Sequence, residues 1–346
     1  MFSSIKGQVD KYTQRLNEIS NLAKAIKSKL IDGSIKGFVE QEQYQKIEYS
    51  FKGTVIGVDS GFFESSLTGL DFCYIKTAGS FFVYDKKLCR YEKLLQNPNY
   101  EFKTSENSLQ KEELPKYVSI SRLRQELALL FCGLQNKNPE YALIDGNVLP
   151  QAVDRPQNNS VLYKDYEDLL QDFVKIYDYC NSNNISLLGC VEDSRANSFL
   201  KLAQNDFASK SLLNNINDVI FLNYILEKDS CISFFPIFAT ESNLIYNDLQ
   251  QYGKFNFYAS YIKVNEDYPL RLELLQNNYS SQKLRDIKGF IAHISNYAKD
   301  YCFPSVLLDA DKQAKLTQNE VNIVKNLVDS AILSHGIKHL RRERRI

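Results

Sequence analysis

The sequence predicts an α/β protein in which a mixed β-sheet is flanked by helices and preceded by an N-terminal helical extension. Three observations lead to this fold class. Apolar residues recur at helical spacing over residues 1–50, three strand-like runs follow from Lys52, and helices then alternate with strands. Strands followed by such alternation are typical of a mixed sheet covered by helices. Because no repeat or linker interrupts the pattern, residues 51–346 are predicted to form one domain.

The N-terminal extension is predicted to be helical because its apolar residues are three or four positions apart, with Lys, Glu and Gln between them. From Lys52 the pattern changes, and TVIGVDS, DFCYIKTAG and SFFVYDKK predict an antiparallel meander of three strands. The polar stretch LLQNPNYEFKTSENSLQKEELPK that follows is predicted to be a loop.

The remainder of the chain alternates between the two kinds of element. SRLRQELALLFCGL and YKDYEDLLQDFVKIYDYC predict helices, whereas YALIDG and ISLLGCVED predict strands. A further helical region is predicted from about Ser194 to Leu226, before strands near CISFFPIF, FNFYASYIKV and LRLELL. Helices over residues 281–298 and 318–339 are predicted to close the chain.

Composition argues against several classes of protein. The 346 residues are 44% hydrophobic and 24% charged, as in soluble globular proteins. No apolar stretch is long enough to span a bilayer, and MFSSIKGQVDKY lacks the apolar core of a signal peptide. Seven scattered Cys without a C-x-x-C pair argue against a disulfide framework and a structural zinc site. We therefore predict a cytoplasmic protein without a membrane partner.

Charge gives one local signal. The 42 basic and 42 acidic residues cancel, which is unlike the basic excess of general polyanion binders. The exception is the end of the chain, KHLRRERRI, with Arg341, Arg342, Arg344 and Arg345. Two interpretations stay open: a solvated helix end favoured by the helix dipole, or an arm that contacts phosphates.

Two carboxylates follow apolar strand-like runs, and each is followed by small residues. Asp59 ends the run in VIGVDSG, and Asp145 ends the run in YALIDG. Ligands bind at the strand ends of open α/β sheets. Either Asp alone could start a turn, as Asp-Gly often does, but two strands of the same layout favour a ligand site.

Two further segments add acids. Glu126 lies beside the apolar stripe of its helix, and a buried carboxylate is costly unless it is paired, here by Arg122 or Arg124, or binds a metal. In FPSVLLDADKQAKL, Asp309 and Asp311 cannot both face one site if the segment is helical. Three or four carboxylates form an oxygen-rich site suited to Mg²⁺ or Mn²⁺. Such sites typically hold two ions about 4 Å apart and promote phosphodiester cleavage.

With these residues in order, the chain resembles the NurA nuclease family, prokaryotic enzymes with an RNase H-like core, over roughly residues 51–328. GVDSGF and LIDGNVLP are similar to its acidic and D-G motifs, which implies metal-binding roles for Asp59 and Asp145. Glu126 matches the Glu of the intervening helix. FPSVLLDADKQAKL is similar to the closing motif, whose last acid or His falls on Asp311.

Two further motifs imply contacts with DNA. LLGCVEDSRANSFL resembles a segment that lines the DNA path, which makes Ser194 and Arg195 candidates, and YPLRLELL resembles a P-x-R-x-E strand with Arg271. The chain departs from some members by having Phe303 in place of a Tyr and Asp311 in place of a His. The second change keeps a ligand and makes the shell more anionic.

The resemblance implies a metal-dependent DNA nuclease that uses Mn²⁺ or Mg²⁺, with four catalytic and metal-binding residues: Asp59, Glu126, Asp145 and Asp311. It further implies 5′-to-3′ exonuclease activity, in some members single-strand endonuclease activity, and a homodimer that works with a hexameric HerA/FtsK-like ATPase in recombination repair. Two alternatives remain. An actin-like or sugar-kinase phosphotransferase would use GVDSG as a phosphate hairpin, but the late Gly-rich motif is missing. An inactive subunit of a repair ATPase would show broken acids, and these are intact.

Overall fold

The computed structural model describes residues 2–67, 70–86, 88–95, 99–104, 109, 113–206, 216–237 and 244–334. The basic tail at residues 341–345 lies outside the described residues. The helices are α1 (Phe2–Ile31), α2 (Leu114–Lys137), α3 (Tyr163–Ser182), α4 (Ser198–Leu202), α5 (Asp218–Asn223), α6 (Leu244–Gln250), α7 (Ser281–Ser295), α8 (Ser305–Ala314) and α9 (Gln318–Ser334). The strands are β1 (Tyr44–Lys46), β2 (Lys52–Leu67), β3 (Leu70–Asp85), β4 (Leu88–Leu95), β5 (Asn99–Thr104), β6 (Tyr141–Asp145), β7 (Ser186–Val191), β8 (Ser230–Ile232), β9 (Phe235–Pro236), β10 (Phe257–Lys263) and β11 (Leu270–Leu275).

The chain divides into two compact units, each assembled from three segments. The first unit contains Met1–Gly53, Leu188–Asn243 and Phe255–Ser305. The second unit contains Thr54–Leu187, Leu244–Lys254 and Val306–Ile346. No helix in the described ranges is long and apolar enough to cross a membrane.

In the first unit the strands follow the order β1, β8, β10, β11, β7, with antiparallel pairing throughout, and β9 pairs with β10. Strands β10 and β11 were predicted from sequence and are confirmed. The helical region predicted from about Ser194 to Leu226 contains two short helices, α4 and α5. Residues 207–215 of that region lie outside the described part of the chain.

Helix α1 packs its apolar face into the core of the first unit, and its buried residues are Ile19, Ala23, Ile26 and Leu30. The helix ends at Ile31, so the prediction of helix to about residue 50 is wrong beyond that point. Gly33 and Gly37, at φ +68° and +101°, turn the chain there. The segment Tyr44–Lys46 then pairs with β8 as strand β1.

In the second unit the strand order is β6, β2, β3, β4, and β5 also pairs with β3. Strands β2 and β6 are parallel, whereas β3 pairs antiparallel with both β4 and β5. The first four residues of β6 are buried, as in parallel strands covered on both faces. The prediction of a mixed sheet flanked by helices is therefore confirmed, as are helices α2 and α3.

The meander was predicted with the wrong strand lengths. DFCYIKTAG and SFFVYDKK form one strand, β3, of 16 residues. Gly79 lies inside β3 and does not turn the chain. A Cβ there would lie only 3.1 Å from the carbonyl oxygen of Gly57, so the glycine permits close packing of the two backbones. Strand β5 falls in the polar stretch predicted to be a loop, where it extends the antiparallel pairing of β3.

Candidate active site

Two parallel strands of the second unit bring Asp59 and Asp145 next to each other. The register pairs Val58 with Ile144, so the next residue on each strand is one of these acids. Neighbouring strands lie about 4.8 Å apart. Strand β6 ends at Asp145, and Gly146 turns the chain at φ +107°, a conformation that glycine adopts readily.

Asp59 lies inside strand β2 and not at its end. From the sequence, Asp59 was predicted at the end of its strand-like run, and this prediction is wrong because Ser60 and Gly61 continue the strand to Leu67. Side chains alternate between the two faces of a strand, so Asp59 shares a face with Gly57 and Gly61, whereas Ser60 points to the other face.

Helix α8 packs against the two glycines beside Asp59. A Cβ at Gly57 would lie 2.9 Å from Leu307 Cδ2, and a Cβ at Gly61 would lie 2.5 Å from the carbonyl oxygen of Ala314. Any larger residue at either position would push the helix away from the strand. The helix therefore crosses β2 directly over Asp59, between its own first and last turns.

This packing brings Asp311 within hydrogen-bonding reach of Asp59. Burial raises the pKa of Asp59 above its ordinary value, and the Asp311 carboxylate raises it further. The backbone N–H of Ser60 and the guanidinium of Arg122 act in the opposite direction on the same pKa. Two carboxylates this close repel each other, and a cation bound between them would relieve the repulsion.

Glu126 projects from helix α2 into the interior and is only 4% exposed. The Oγ of Ser60 donates a hydrogen bond to its Oε1, and the Nε of Arg122 lies 3.7 Å from the same oxygen. Burial raises the pKa of Glu126 to about 7; Asp59 and Asp145 raise it, whereas Arg122 and Ser60 lower it. The predicted burial of Glu126 is confirmed, and its carboxylate lies in the field of two other candidate acids.

Of the two arginines that the sequence offered as partners of Glu126, only Arg122 approaches it. Arg124 instead donates to Asp172 at 2.9 Å. At 3.7 Å, Arg122 offsets part of the charge of Glu126 without a short hydrogen bond. A positive neighbour therefore lowers the cost of burying Glu126 but leaves its pKa raised.

The two acids of α8 face different strands. The Oδ2 of Asp309 accepts hydrogen bonds of 2.5 Å from both Ser80 Oγ and Gln313 Nε2, which directs it toward β3. Asp311 is directed toward Asp59 on β2. Of the two candidates that the sequence left open, Asp311 is therefore the one that joins the other acids, and its role as a ligand stays a prediction.

The four acids suit a hard divalent cation in chemistry, but they are not arranged as a preformed cage. Over the described ranges, no three His, Cys, Asp or Glu side chains converge closely enough to hold a metal ion. Glu126 is held by Ser60 on the α2 side of the strand, while Asp59 meets Asp311 on the α8 side. The all-oxygen donors of the four acids, and the raised pKa values of Asp59 and Glu126, are what a bound Mg²⁺ or Mn²⁺ would complement.

The predicted DNA-contacting residues belong to the first unit. Arg195 is exposed, whereas Ser194 is buried and its Oγ accepts the N–H of Ala196. Arg271 is only 2% exposed. Its guanidinium donates to Tyr261 OH at 2.7 Å, to Ser198 Oγ at 2.8 Å and to Glu273 at 2.9 Å. The proposed DNA contacts of all three stay predictions, and Arg271 would have to exchange internal partners to make one.

Two features were not anticipated from the sequence. Ser60 holds Glu126, which the strand pattern could have indicated, since residue 60 faces away from Asp59. Phe303, where some family members have a Tyr, is buried, and the ring of Tyr301 is stacked on it with centroids 6.3 Å apart. Tyr301 itself is 42% exposed.

Comparison with known proteins identifies the fold. A family model described as the NurA domain matches residues 53–316. No curated protein matches the sequence. The crystal structure of the NurA nuclease from Sulfolobus solfataricus aligns with 97% of this chain and 98% of its own at a TM-score of 0.61 and 13% identity. A second crystal structure of NurA covers 94% of this chain and 97% of its own, at a TM-score of 0.51 and 11% identity. These similarities confirm the predicted RNase H-like fold class.

Proposed function

The chain belongs to the NurA domain family, and from this premise we propose that it is a metal-dependent DNA nuclease. One observation carries the proposal: strands β2 and β6 and helix α8 gather Asp59, Asp145 and Asp311 beside the buried Glu126. Buried carboxylates with raised pKa values cluster at functional sites. A purely structural role would pair each carboxylate with a cation, whereas here Asp59 lies within hydrogen-bonding reach of Asp311, and the charges of Asp59 and Asp145 raise the pKa of Glu126.

The four acids are proposed to hold two ions of Mn²⁺ or Mg²⁺. When bound, such ions supply an activated water and stabilise the charge that develops on the cleaved phosphodiester. Glu126 must first lose its proton, and its pKa of about 7 lets it do so near neutral pH. Ser60 fixes the orientation of Glu126 by its hydrogen bond, and Arg122 limits the excess of negative charge before a metal binds.

Family membership supports several finer proposals. We propose 5′-to-3′ exonuclease activity with single-strand endonuclease activity, a cytoplasmic homodimer, and cooperation with a hexameric HerA/FtsK-like ATPase in recombination repair. Residues 51–346 are proposed to carry the nuclease function, with residues 1–50 as an extension. Ser194, Arg195 and Arg271 are proposed to line the DNA path, and the exposure of Arg195 supports this for its guanidinium.

The test is cleavage of end-labelled single- and double-stranded DNA in Mn²⁺, Mg²⁺ or EDTA. We expect cleavage only with metal, and loss of cleavage by at least about a hundredfold in Asp59→Asn or Asp145→Asn, in line with the loss of a metal ligand. Asp178→Asn, an exposed acid on α3, is the matched control and should cleave normally. If the protein is an inactive subunit of a repair ATPase, no metal should support cleavage. Cleavage that persists in EDTA would overturn the proposal that the nuclease depends on a metal.

A further inference from the structure

A cavity of about 420 Å³ lies within the second unit. Three lysines, one aspartate and one glutamine line it: Lys76, Lys93, Lys312, Asp309 and Gln313. Two strands and one helix converge to form it. Lys76 shares a face of β3 with Ser80, and the ladder places Lys93 of β4 directly opposite Ser80.

Helix α8 closes the other side of this cavity. Lys312 and Gln313 follow Asp309 by three and four residues, so the three side chains share one helix face. Hydrogen bonds from Ser80 to Asp309 and from Gln313 to Asp309 connect that face to β3. Gln313 also donates to Tyr91 OH at 3.3 Å, which links the helix to β4.

The charges in this cavity are unbalanced. The lining holds three lysines and one aspartate, a formal sum of +2. Lys76 forms an ion pair with Glu320, a residue outside the cavity lining, with 2.9 Å between Nζ and Oε1. This contact is the main reason that the pKa of Glu320 is lowered to about 2. Within the described ranges, the ammonium groups of Lys93 and Lys312 have neither an ion pair nor a hydrogen bond.

Two unpaired cations beside one concave surface are complementary to an anion, because like charges repel until a counter-charge binds between them. Asp309 does not take this role, since two short hydrogen bonds already hold its carboxylate toward Ser80 and Gln313. An anion from outside the chain would balance these two exposed charges. A phosphodiester has this chemistry and is present on the substrate of the proposed function.

We propose that Lys93 and Lys312 bind a backbone phosphate of the DNA strand whose cleavage site lies at the acids. This inference rests on the proposed nuclease function. Asp311 and Lys312 are consecutive on α8, so they diverge by about 100° and their tips lie roughly 8 Å apart on a helix about 10–12 Å wide. The lysines are therefore proposed to hold a different phosphate of the same strand from the one at the acids.

The test compares the salt dependence of single-stranded DNA binding for full-length wild type and for Lys93→Gln/Lys312→Gln, by fluorescence anisotropy in EDTA. Each lost phosphate contact should lower the slope of log affinity against log salt by about 0.7. Because the two lysines are proposed to hold one phosphate, the double variant should lose about 0.7. Lys164→Gln/Lys175→Gln removes the same charge from the exposed face of α3 and is the matched control. Lys93→Arg/Lys312→Arg should retain the wild-type slope.

Oligonucleotide length provides a second measurement. The double variant should bind strands of six or more nucleotides more weakly than wild type. A dinucleotide has a single phosphodiester, which cannot lie at the acids and at lysines roughly 8 Å away at the same time, so its binding at the acids should not change in the variant. An unchanged slope, or an equal loss in the α3 control, would overturn the lysine site even if wild type cleaves DNA. A wild-type protein that neither binds nor cleaves DNA would overturn the nuclease proposal and this site together. An acidic protein segment as the true ligand would appear as an unchanged slope.

Discussion

Replacing Glu126 with Gln should remove a pH dependence of stability that the metal-free protein carries. Glu126 is buried beside Asp59 and Asp145, and its pKa rises from 4.5 to about 7, chiefly through burial. The folded state therefore holds the proton of Glu126 more tightly than the unfolded chain does. Gln keeps the volume of the side chain and cannot titrate, so the variant isolates this contribution.

The magnitude follows from the two pKa values. Their difference, 7 minus 4.5, is about 2.5 pH units, and each unit corresponds to 1.36 kcal/mol, which gives about 3 kcal/mol. Because the pKa is raised on folding, this stabilisation is complete below about pH 4.5 and is lost as the pH rises through about 7. Metal-free wild type should therefore be about 3 kcal/mol less stable at pH 8 than at pH 5 from this group alone.

The assay is urea unfolding in EDTA at about pH 5 and about pH 8, for wild type, Glu126→Gln and the exposed control Glu140→Gln. The free energy of unfolding of Glu126→Gln should approach or exceed that of wild type at the higher pH, and Glu140→Gln should follow wild type at both. Added Mn²⁺ should stabilise wild type more than Glu126→Gln at the higher pH, because an ionised carboxylate binds a divalent cation more strongly than a neutral amide oxygen does. Equal pH dependence in wild type and Glu126→Gln would refute the reasoning.

Three further outcomes are expected. Asp311→Asn should reduce DNA cleavage far more than Asp309→Asn, because Asp311 lies beside Asp59 whereas Asp309 is bonded to Ser80. A larger loss of cleavage in Asp309→Asn would mean that the choice of Asp311 as the site residue is wrong. Gly61→Ala should destabilise the protein by about 1–3 kcal/mol in urea, because its Cβ would meet a carbonyl oxygen at 2.5 Å. Gly7→Ala, with nothing within 4 Å, should not destabilise it. Arg271→Ala should cost about 3–5 kcal/mol in urea unfolding, because it removes the cation that lies 3.9 Å from the buried carboxylate of Asp218 and 2.9 Å from that of Glu273. A loss below about 1 kcal/mol would contradict this.

The elements that sequence reasoning predicted correctly are those with strong periodicity. Helices α2 and α3 and strands β6 and β11 combine regular apolar spacing with clear ends, and all four are present. The errors occurred where a glycine or a run of polar residues makes contacts with segments that are distant along the chain. Gly79 looked like a turn but permits close contact with Gly57, and the polar residues of β5 form a strand through backbone pairing with β3.

The identity of the candidate acids was accessible from sequence, but their arrangement was not. Asp59, Asp145 and Glu126 each stood out as a carboxylate next to buried residues. The choice between Asp309 and Asp311 depends on the rotation of α8 about its axis, and the hydrogen bonds to Ser80 set that rotation. Ser80 is 229 residues away along the chain, so no local pattern reports this contact.

The spacing in GVDSG now has a physical explanation that the sequence alone did not supply. Gly57, Asp59 and Gly61 lie on one face of β2, and the two glycines leave no side chain between the strand and α8. Helix α8 can therefore approach closely enough for Asp311 to meet Asp59. The same approach buries Asp59, and burial is the main cause of its raised pKa. A larger residue at either glycine would separate Asp59 from Asp311 and expose Asp59 further to solvent. The motif therefore encodes the packing of a helix as much as the position of a carboxylate.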